Sequence, residues 1–335
     1  MNARIAAVAS YLPPTVLDND ALATEFPEWS VEKISAKTGI SRRHIAAPDE
    51  FTSDLAAAAG RVLFDANEID PTSIDYLIVC TQSPDYYLPS TACIVQDALG
   101  IPTSAGATDI TLGCSGYIYA LGLAKGLIES GQAAKVLVIT ADTYTKFLNP
   151  RDKSVRTIFG DGAAATLVTD DGEANSITAI TYGTDGSGAK SLIVPSGGLR
   201  EGTALQPKAD TAARALEHTG YDLYMDGPDI FTFTLAVVPD SVNTILSKAG
   251  VTLDDIDLFV FHQANAFMLE HLRKKLGVPR EKFFVALEES GNTVSSTIPI
   301  ALADAESRGT LHRGMRVMLL GFGVGLSWGG LITTW

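Results

Sequence analysis

The sequence predicts an α/β protein, and three observations carry that reading. Strand-like runs alternate with helical stretches along the chain, the order that α/β layers produce. The strands are near-continuous apolar runs, such as Leu77-Ile-Val79 and Leu258-Phe-Val-Phe261, as expected where both faces of a sheet are covered. The same strand–helix pattern then occurs twice, offset by roughly 180 residues, which points to one β-α-β unit used in two halves.

The repeat can be followed element by element. Residues 68 to 79 read as a turn and then a strand, and residues 250 to 261 repeat that pattern. Each strand leads through a polar turn into a helix ending at Leu99-Gly100 or at Leu276-Gly277. A second helix opens at Cys114, ends near Glu129-Ser130-Gly131 and precedes the strand Lys135-Val-Leu-Val-Ile-Thr140. Its counterpart opens at Asn292, ends near Ser307-Arg308-Gly309 and precedes Arg316-Val-Met-Leu-Leu320. The boundary falls near residue 172, giving halves 1–172 and 173–335. Pro195-Ser-Gly-Gly-Leu-Arg-Glu-Gly202 and the polar residues after it read as a long loop or insertion.

Composition limits the function. The 335 residues are 46% apolar and 19% charged, with a net charge of −14. That charge argues against nucleic acid as a main partner, because phosphate binding needs a positive surface. No run of about 18 apolar residues suggests a membrane span, and the N-terminus lacks a signal-peptide layout. Three cysteines, Cys80, Cys93 and Cys114, fit neither a disulfide framework nor a zinc site and suggest a reducing cytosol. Arg42-Arg43 and Arg273-Lys274-Lys275 are basic patches, equally open to a docking role and to being solvated surface.

One cysteine stands apart. Cys114 ends an extended run and precedes an amphipathic helix, where free N–H groups and the helix dipole favour a thiolate. Cys80 and Cys93 read as core thiols. His262, just past a strand, and Asn292, at a helix start, each read alone as a structural histidine and a capping residue. Their repeat-related placement changes that: in a pseudo-twofold pair of halves, they face Cys114. Of two glycine clusters, Gly160-Asp-Gly162 reads as a tight turn before a strand. Gly321-Phe-Gly-Val-Gly325 precedes a strand rather than a helix, which excludes a dinucleotide fingerprint and favours close backbone approach to a reacting group.

Taken in order, several segments resemble the thiolase-superfamily condensing enzymes of the 3-oxoacyl-[acyl-carrier-protein] synthase III family. They are Lys37-Thr-Gly-Ile-Ser-Arg-Arg-His-Ile-Ala46, Leu88-Pro-Ser-Thr-Ala-Cys93, Gly113-Cys-Ser-Gly116, Phe159-Gly-Asp-Gly-Ala163, His262-Gln-Ala-Asn265, Gly291-Asn-Thr293 and the terminal Gly321-Phe-Gly-Val-Gly-Leu-Ser-Trp-Gly329. The resemblance implies a five-layer αβαβα thiolase-like fold, a cytoplasmic homodimer and a Cys114–His262–Asn292 triad. It implies an oxyanion hole from the amides of Cys114 and Val324. Substrates would be acyl-CoA and malonyl thioester, on carrier protein or coenzyme A, with no metal or redox cofactor. Cys114 would take an acyl group, and malonyl thioester would lose carbon dioxide and attack it.

Departures from the family pattern mark a specialised member. Lys33 stands where a nucleotide-stacking Trp is usual, with Trp29 one helical turn earlier, and Lys153 stands where an Arg is usual. Lys37, Lys274 and Lys275 match basic docking positions, while Phe267 replaces a docking Arg. Leu88 replaces a Phe that closes the acyl tunnel, and Val324 replaces the middle glycine of the last loop. Decarboxylative condensation is the leading reading. Acyl transfer to a hydroxyl, amine or thiol is the alternative, and a non-catalytic subunit of a heterodimer is a third.

Overall fold

A computed structural model describes residues 2–170, 176–202 and 218–335. The first half contains β1 (Ala3–Tyr11), β2 (Thr15–Asp18), α1 (Asn19–Glu25), α2 (Val31–Thr38), β3 (Arg42–Ile45), α3 (Thr52–Asn67), β4 (Tyr76–Cys80), α4 (Thr91–Ala98), β5 (Gly106–Ile110), α5 (Gly116–Glu129), β6 (Lys135–Asp142), α6 (Lys153–Arg156) and β7 (Gly162–Asp170). The second contains β8 (Ile177–Thr184), β9 (Leu192–Ile193), β10 (Tyr224–Met225), α7 (Gly227–Ala249), β11 (Leu258–Phe261), α8 (Ala266–Leu276), α9 (Thr297–Ser307), β12 (Arg316–Gly323) and β13 (Ser327–Thr334).

The repeat is visible in the sheets. One sheet runs β1-β7-β6-β4-β5 and the other β8-β13-β12-β11. In each, the two strands nearest the motif residues are parallel, β4 with β6 and β11 with β12. β5 adds a further parallel strand beside β4; the other neighbours are antiparallel, so β1-β7-β6-β4 and β8-β13-β12-β11 correspond in order and direction. Beside β11, where β5 stands in the first sheet, Phe283 bridges Phe259 in parallel.

Alternating side chains build the layers. Leu77 and Val79 of β4 pack outward with α3 and α4. Phe259 and Phe261 of β11 pack outward with α7 and α8. Between the sheets lie Ile78, Leu258 and Val260, with Tyr117, Ile118 and Leu121 of α5 and Ile298 and Leu302 of α9. The order is helices, sheet, the helix pair α5 and α9, sheet, helices: the five-layer αβαβα arrangement, with a hydrophobic core on both faces of each sheet.

Two expectations change. Asn292 does not open its helix. Val294 adopts φ +56°, a left-handed conformation that a β-branched residue rarely takes, and α9 begins only at Thr297. Although no unbroken apolar run exists, the 23-residue α7 is long and apolar enough to cross a membrane; it buries Ile230, Val238, Val242 and Ile245 in the core on the second sheet. The proposed boundary at 172 and the polar stretch 203–217 lie outside the described residues.

Candidate active site

Cys114 sits between the end of β5 and the first turn of α5. Across from it, β11 delivers His262, whose N–H donates to Leu320 O at 2.9 Å. The loop before α9 delivers Asn292. All three side chains line one cavity of about 140 Å³, closed in part by Phe322, Gly323, Met225 and Ala264. None is more than 5% exposed.

The thiol is not the resident thiolate that its position at a helix start suggests. Burial, and next the charge of Asp142, push Cys114 up to about 12. The backbone N–H groups of Val324 and of Cys114 itself act the other way, but the lost hydration outweighs them. Burial also pulls His262 down to about 3, so its ring is neutral. The resting pair is therefore a neutral thiol and a neutral imidazole.

The His262 ring is held by Thr297 and Phe322. Nδ1 lies 2.7 Å from Thr297 Oγ1, and the Phe322 ring meets the imidazole edge-on at 5.5 Å. Nε2 is left for the cavity. Asn292 is also fixed: Oδ1 accepts from Val294 N–H at 2.9 Å, and Nδ2 reaches Ala264 O only at 3.5 Å. The amide thus presents an N–H to the cavity. Its backbone is clamped between Ile158 O and Gly160 N–H, at 2.9 and 3.1 Å. Gly160-Asp-Gly162 is accordingly not a hairpin turn but part of this clamp. A Cβ on Gly160 would lie 2.7 Å from Ser290 O, so only glycine admits the Asn292 loop there.

The last glycine loop approaches the nucleophile. A Cβ at Gly323 would lie 2.9 Å from Cys114 Cβ and 3.0 Å from Sγ. Gly323→Ala is expected to lower the rate of Cys114 acylation about tenfold or more by displacing the sulfur from its donors, measured as the rate of mass gain with an acyl thioester.

Two family models match the chain, one for 3-oxoacyl-[acyl-carrier-protein] synthase III over residues 108–186 and one for the C-terminal part of 3-oxoacyl-[acyl-carrier-protein] synthase III over 246–335. A β-ketoacyl-[acyl-carrier-protein] synthase III from Clostridium perfringens is 39% identical over 328 residues, covering 98% of each chain. The chain belongs to the 3-oxoacyl-[acyl-carrier-protein] synthase III family. As a synthase III, it is a condensing acyltransferase. A crystal structure of a 3-oxoacyl-(acyl-carrier-protein) synthase III is 51% identical and superposes with a TM-score of 0.96 over all of both chains. The priming β-ketosynthase of the R1128 polyketide pathway is 31% identical, with a TM-score of 0.88 over 99% of this chain and 96% of its own.

The other residues singled out in this synthase III sequence lie outside the Cys114 cavity. Lys33, Lys37 and Lys153 converge: their Nζ atoms lie 5.2, 4.6 and 5.5 Å from the centroid of the Trp29 ring. Trp29, one turn from the usual position, thus sits among all three lysines. The second basic patch is largely spent. Arg273 is held by Glu270 and by Val278 O, and Lys275 donates to Leu235 O at 2.7 Å. Lys274, 69% exposed, stands 3.4 Å from Glu270. Arg43 is not surface at all: fully buried, it donates to Thr157 O and Asn19 Oδ1. Arg42 pairs with Glu289 at 3.1 Å. Leu88 is 82% exposed and, among the described residues, is not part of the lining of the Cys114 cavity. Cys80 is core, as read, but Cys93 is exposed and touches Ser90 Oγ.

Two functional neighbours escaped the sequence reading. Thr297 gave no signal, since a threonine in a helix's first turn is ordinary. Asp142 did give one: an acid closing the apolar strand Val136–Ala141. It is fully buried, and accepts from Gln82 N–H at 2.8 Å and from Ser295 N–H at 3.1 Å.

Proposed function

We propose that Cys114 accepts an acyl group from an acyl thioester and that His262 and Asn292 then promote its condensation with malonyl thioester, giving a 3-oxoacyl thioester and carbon dioxide. The observation that carries this reading is the shared cavity: one thiol, one neutral imidazole and one amide N–H converge on it.

In loading, the Cys114 sulfur forms a bond to the acyl carbon while its proton passes to His262 Nε2. The departing thiolate takes that proton. The amides of Cys114 and Val324 hold the oxyanion as it forms. In condensation, the malonyl carbon–carboxylate bond breaks and its electron pair develops as an enolate. His262 Nε2–H and Asn292 Nδ2–H donate to the enolate oxygen. The carbanion carbon attacks the acyl carbon, and the bond to the Cys114 sulfur breaks. No step calls for a metal or a redox cofactor.

His262 must accept a proton through Nε2 in the first half and donate through it in the second. Thr297 supplies both settings. With its hydroxyl turned to Val294 O, 3.1 Å away, it accepts from Nδ1–H and leaves Nε2 basic. Turned to Nδ1, it leaves the proton on Nε2. Thr297→Val is expected to lower condensation roughly 5- to 100-fold, the cost of one orphaned buried hydrogen bond, with Thr297→Ser restoring most of it. The readout is the malonyl-dependent turnover of a preloaded enzyme.

The free Asn292 N–H favours condensation over transfer to a hydroxyl, amine or thiol, which generates no enolate. The intact set of three groups likewise speaks against a non-catalytic subunit. The donors would be coenzyme A or carrier-protein thioesters, docking on Trp29 with Lys33, Lys37 and Lys153, and on Lys274. The exposed Tyr86, Tyr87 and Leu88, together with edge strand β5, fit the interface of a homodimer in which Leu88 meets the partner's acyl site. Unpaired cysteines fit a cytosolic setting. The deciding experiment loads the protein with a panel of acyl-CoA and acyl-carrier-protein donors, weighs the Cys114 adduct, and then adds malonyl thioester. Adduct discharged with carbon dioxide supports condensation. Adduct discharged only by heteroatom acceptors would replace it with transfer.

A further inference from the structure

A second cavity, of about 720 Å³, begins beside Val324 and Gly325, and Leu192 lines both spaces. Since the Val324 amide faces the Cys114 sulfur, an acyl chain too long for the inner cavity extends naturally into this outer one. The wall is mostly apolar, with Tyr144, Phe147, Ile193 and Leu223. Its polar side chains are the informative part.

Asp85 is engaged, accepting from Ser53 N–H and Oγ–H at 3.0 and 2.6 Å. Ser196 donates to Gly202 O and accepts from Gly202 N–H. Gln82 differs. Its Oε1 accepts from the Tyr144 hydroxyl at 2.9 Å, the one acceptor that hydroxyl has among the described residues; with the hydroxyl donating, Nε2 is turned away from it. Nε2 therefore faces the cavity without a partner among the described residues. It also lies near the reacting end: a Cβ on Gly113, the residue before the nucleophile, would be 2.4 Å from Gln82 Oε1 and 2.8 Å from Val324 Cγ1.

We infer that the acyl group carried by Cys114 bears an uncharged oxygen, hydroxyl or oxo, close to its carbonyl end, and that Gln82 Nε2–H donates to it. This rests on the acyl-enzyme reading above. A plain alkanoyl chain would cover the amide and leave a desolvated donor unpaired, which is costly. A chain ending in a carboxylate fits worse, because no Lys, Arg or His lines this cavity among the described residues and Asp85 does. Loading stays a simple exchange: the Cys114 S–C bond forms, the donor S–C bond breaks, and the thiol proton leaves on the released coenzyme A.

The test is a competition read by intact-protein mass. Equimolar octanoyl-CoA is offered against 3-hydroxyoctanoyl-CoA and, separately, against 3-oxooctanoyl-CoA, which distinguishes the two oxygen functions. The expected result is a preference of about fivefold or more for at least one oxygenated chain, lost in Gln82→Leu and weakened in Tyr144→Phe, which frees the amide. Normal loading with equal adducts in the native enzyme, or a preference unchanged in Gln82→Leu, overturns the inference and leaves the acyl-enzyme intact. No adduct from any donor overturns both.

Discussion

Cys114→Ala is expected to abolish the acyl adduct and all 3-oxoacyl product while leaving malonyl decarboxylation in place. The sulfur is the only thiol lining the cavity among the described residues, so the acyl-enzyme disappears with it. His262 and Asn292 are untouched, and they still face the oxygen on which enolate charge develops. Asn292→Ala should do the reverse: a normal adduct, with carbon dioxide release lowered roughly 100- to 1000-fold, the usual cost of one donor to a developing oxyanion. Mass spectrometry of the protein and radiolabelled carbon dioxide release separate the two variants. Loss of both activities in either variant would mean that the residues do not divide the reaction in this way. The thiol's burial adds a second expectation for the native enzyme. Its alkylation by a small neutral reagent should keep accelerating as pH rises toward about 12, rather than level off near neutrality as it would for a helix-activated thiolate.

That contrast marks where the sequence was and was not legible. The doubled β-α-β pattern could be read because apolar strands and helix ends repeat at a fixed offset, and the sheets carry the same order and directions in both halves. The same repetition brought Cys114, His262 and Asn292 to one cavity. What it could not carry was competition between local and tertiary effects. Helix position predicts an easily ionised Cys114, whereas burial of its surroundings decides the opposite. Arg42 and Arg43 look alike as neighbours in the chain, yet one pairs with Glu289 at the surface and the other fills the core. Trp29 lies one turn before the usual position in the sequence, but the direction in which α2 and α6 present Lys33, Lys37 and Lys153 surrounds it with cations. Each failure involves a partner distant in sequence.

Asp142 is the strongest case of such long-range coupling, and its removal should be felt in stability, pH dependence and chemistry together. Its carboxylate joins the end of β6 to the 81–82 turn, through Thr81 Oγ1 and Gln82 N–H, and to the Asn292 loop, through Ser295 N–H and Oγ–H. Asp142→Ala orphans several of these buried donors, for an expected loss of about 3 kcal/mol, and loosens the loop that aims Asn292. It also removes a charge that disfavours the Cys114 thiolate, so alkylation of Cys114 should begin at lower pH than in the native enzyme. Burial raises Asp142 from 3.8 to about 7. The folded state therefore holds a proton that the unfolded chain has released, and the Asp142 contribution to stability falls as pH rises from about 4 to 7, by about 4 kcal/mol at most. His262 works against this. Its folded pKa is lowered to about 3 from 6.5, so its contribution makes stability rise over nearly the same range. Melting curves of the native enzyme alone would blend the two slopes. The difference between native and Asp142→Ala cancels the His262 part, and that difference should shrink steadily between pH 4 and 7. A difference that stays constant over this range would mean that Asp142 is ionised throughout and that its four hydrogen bonds outweigh its burial.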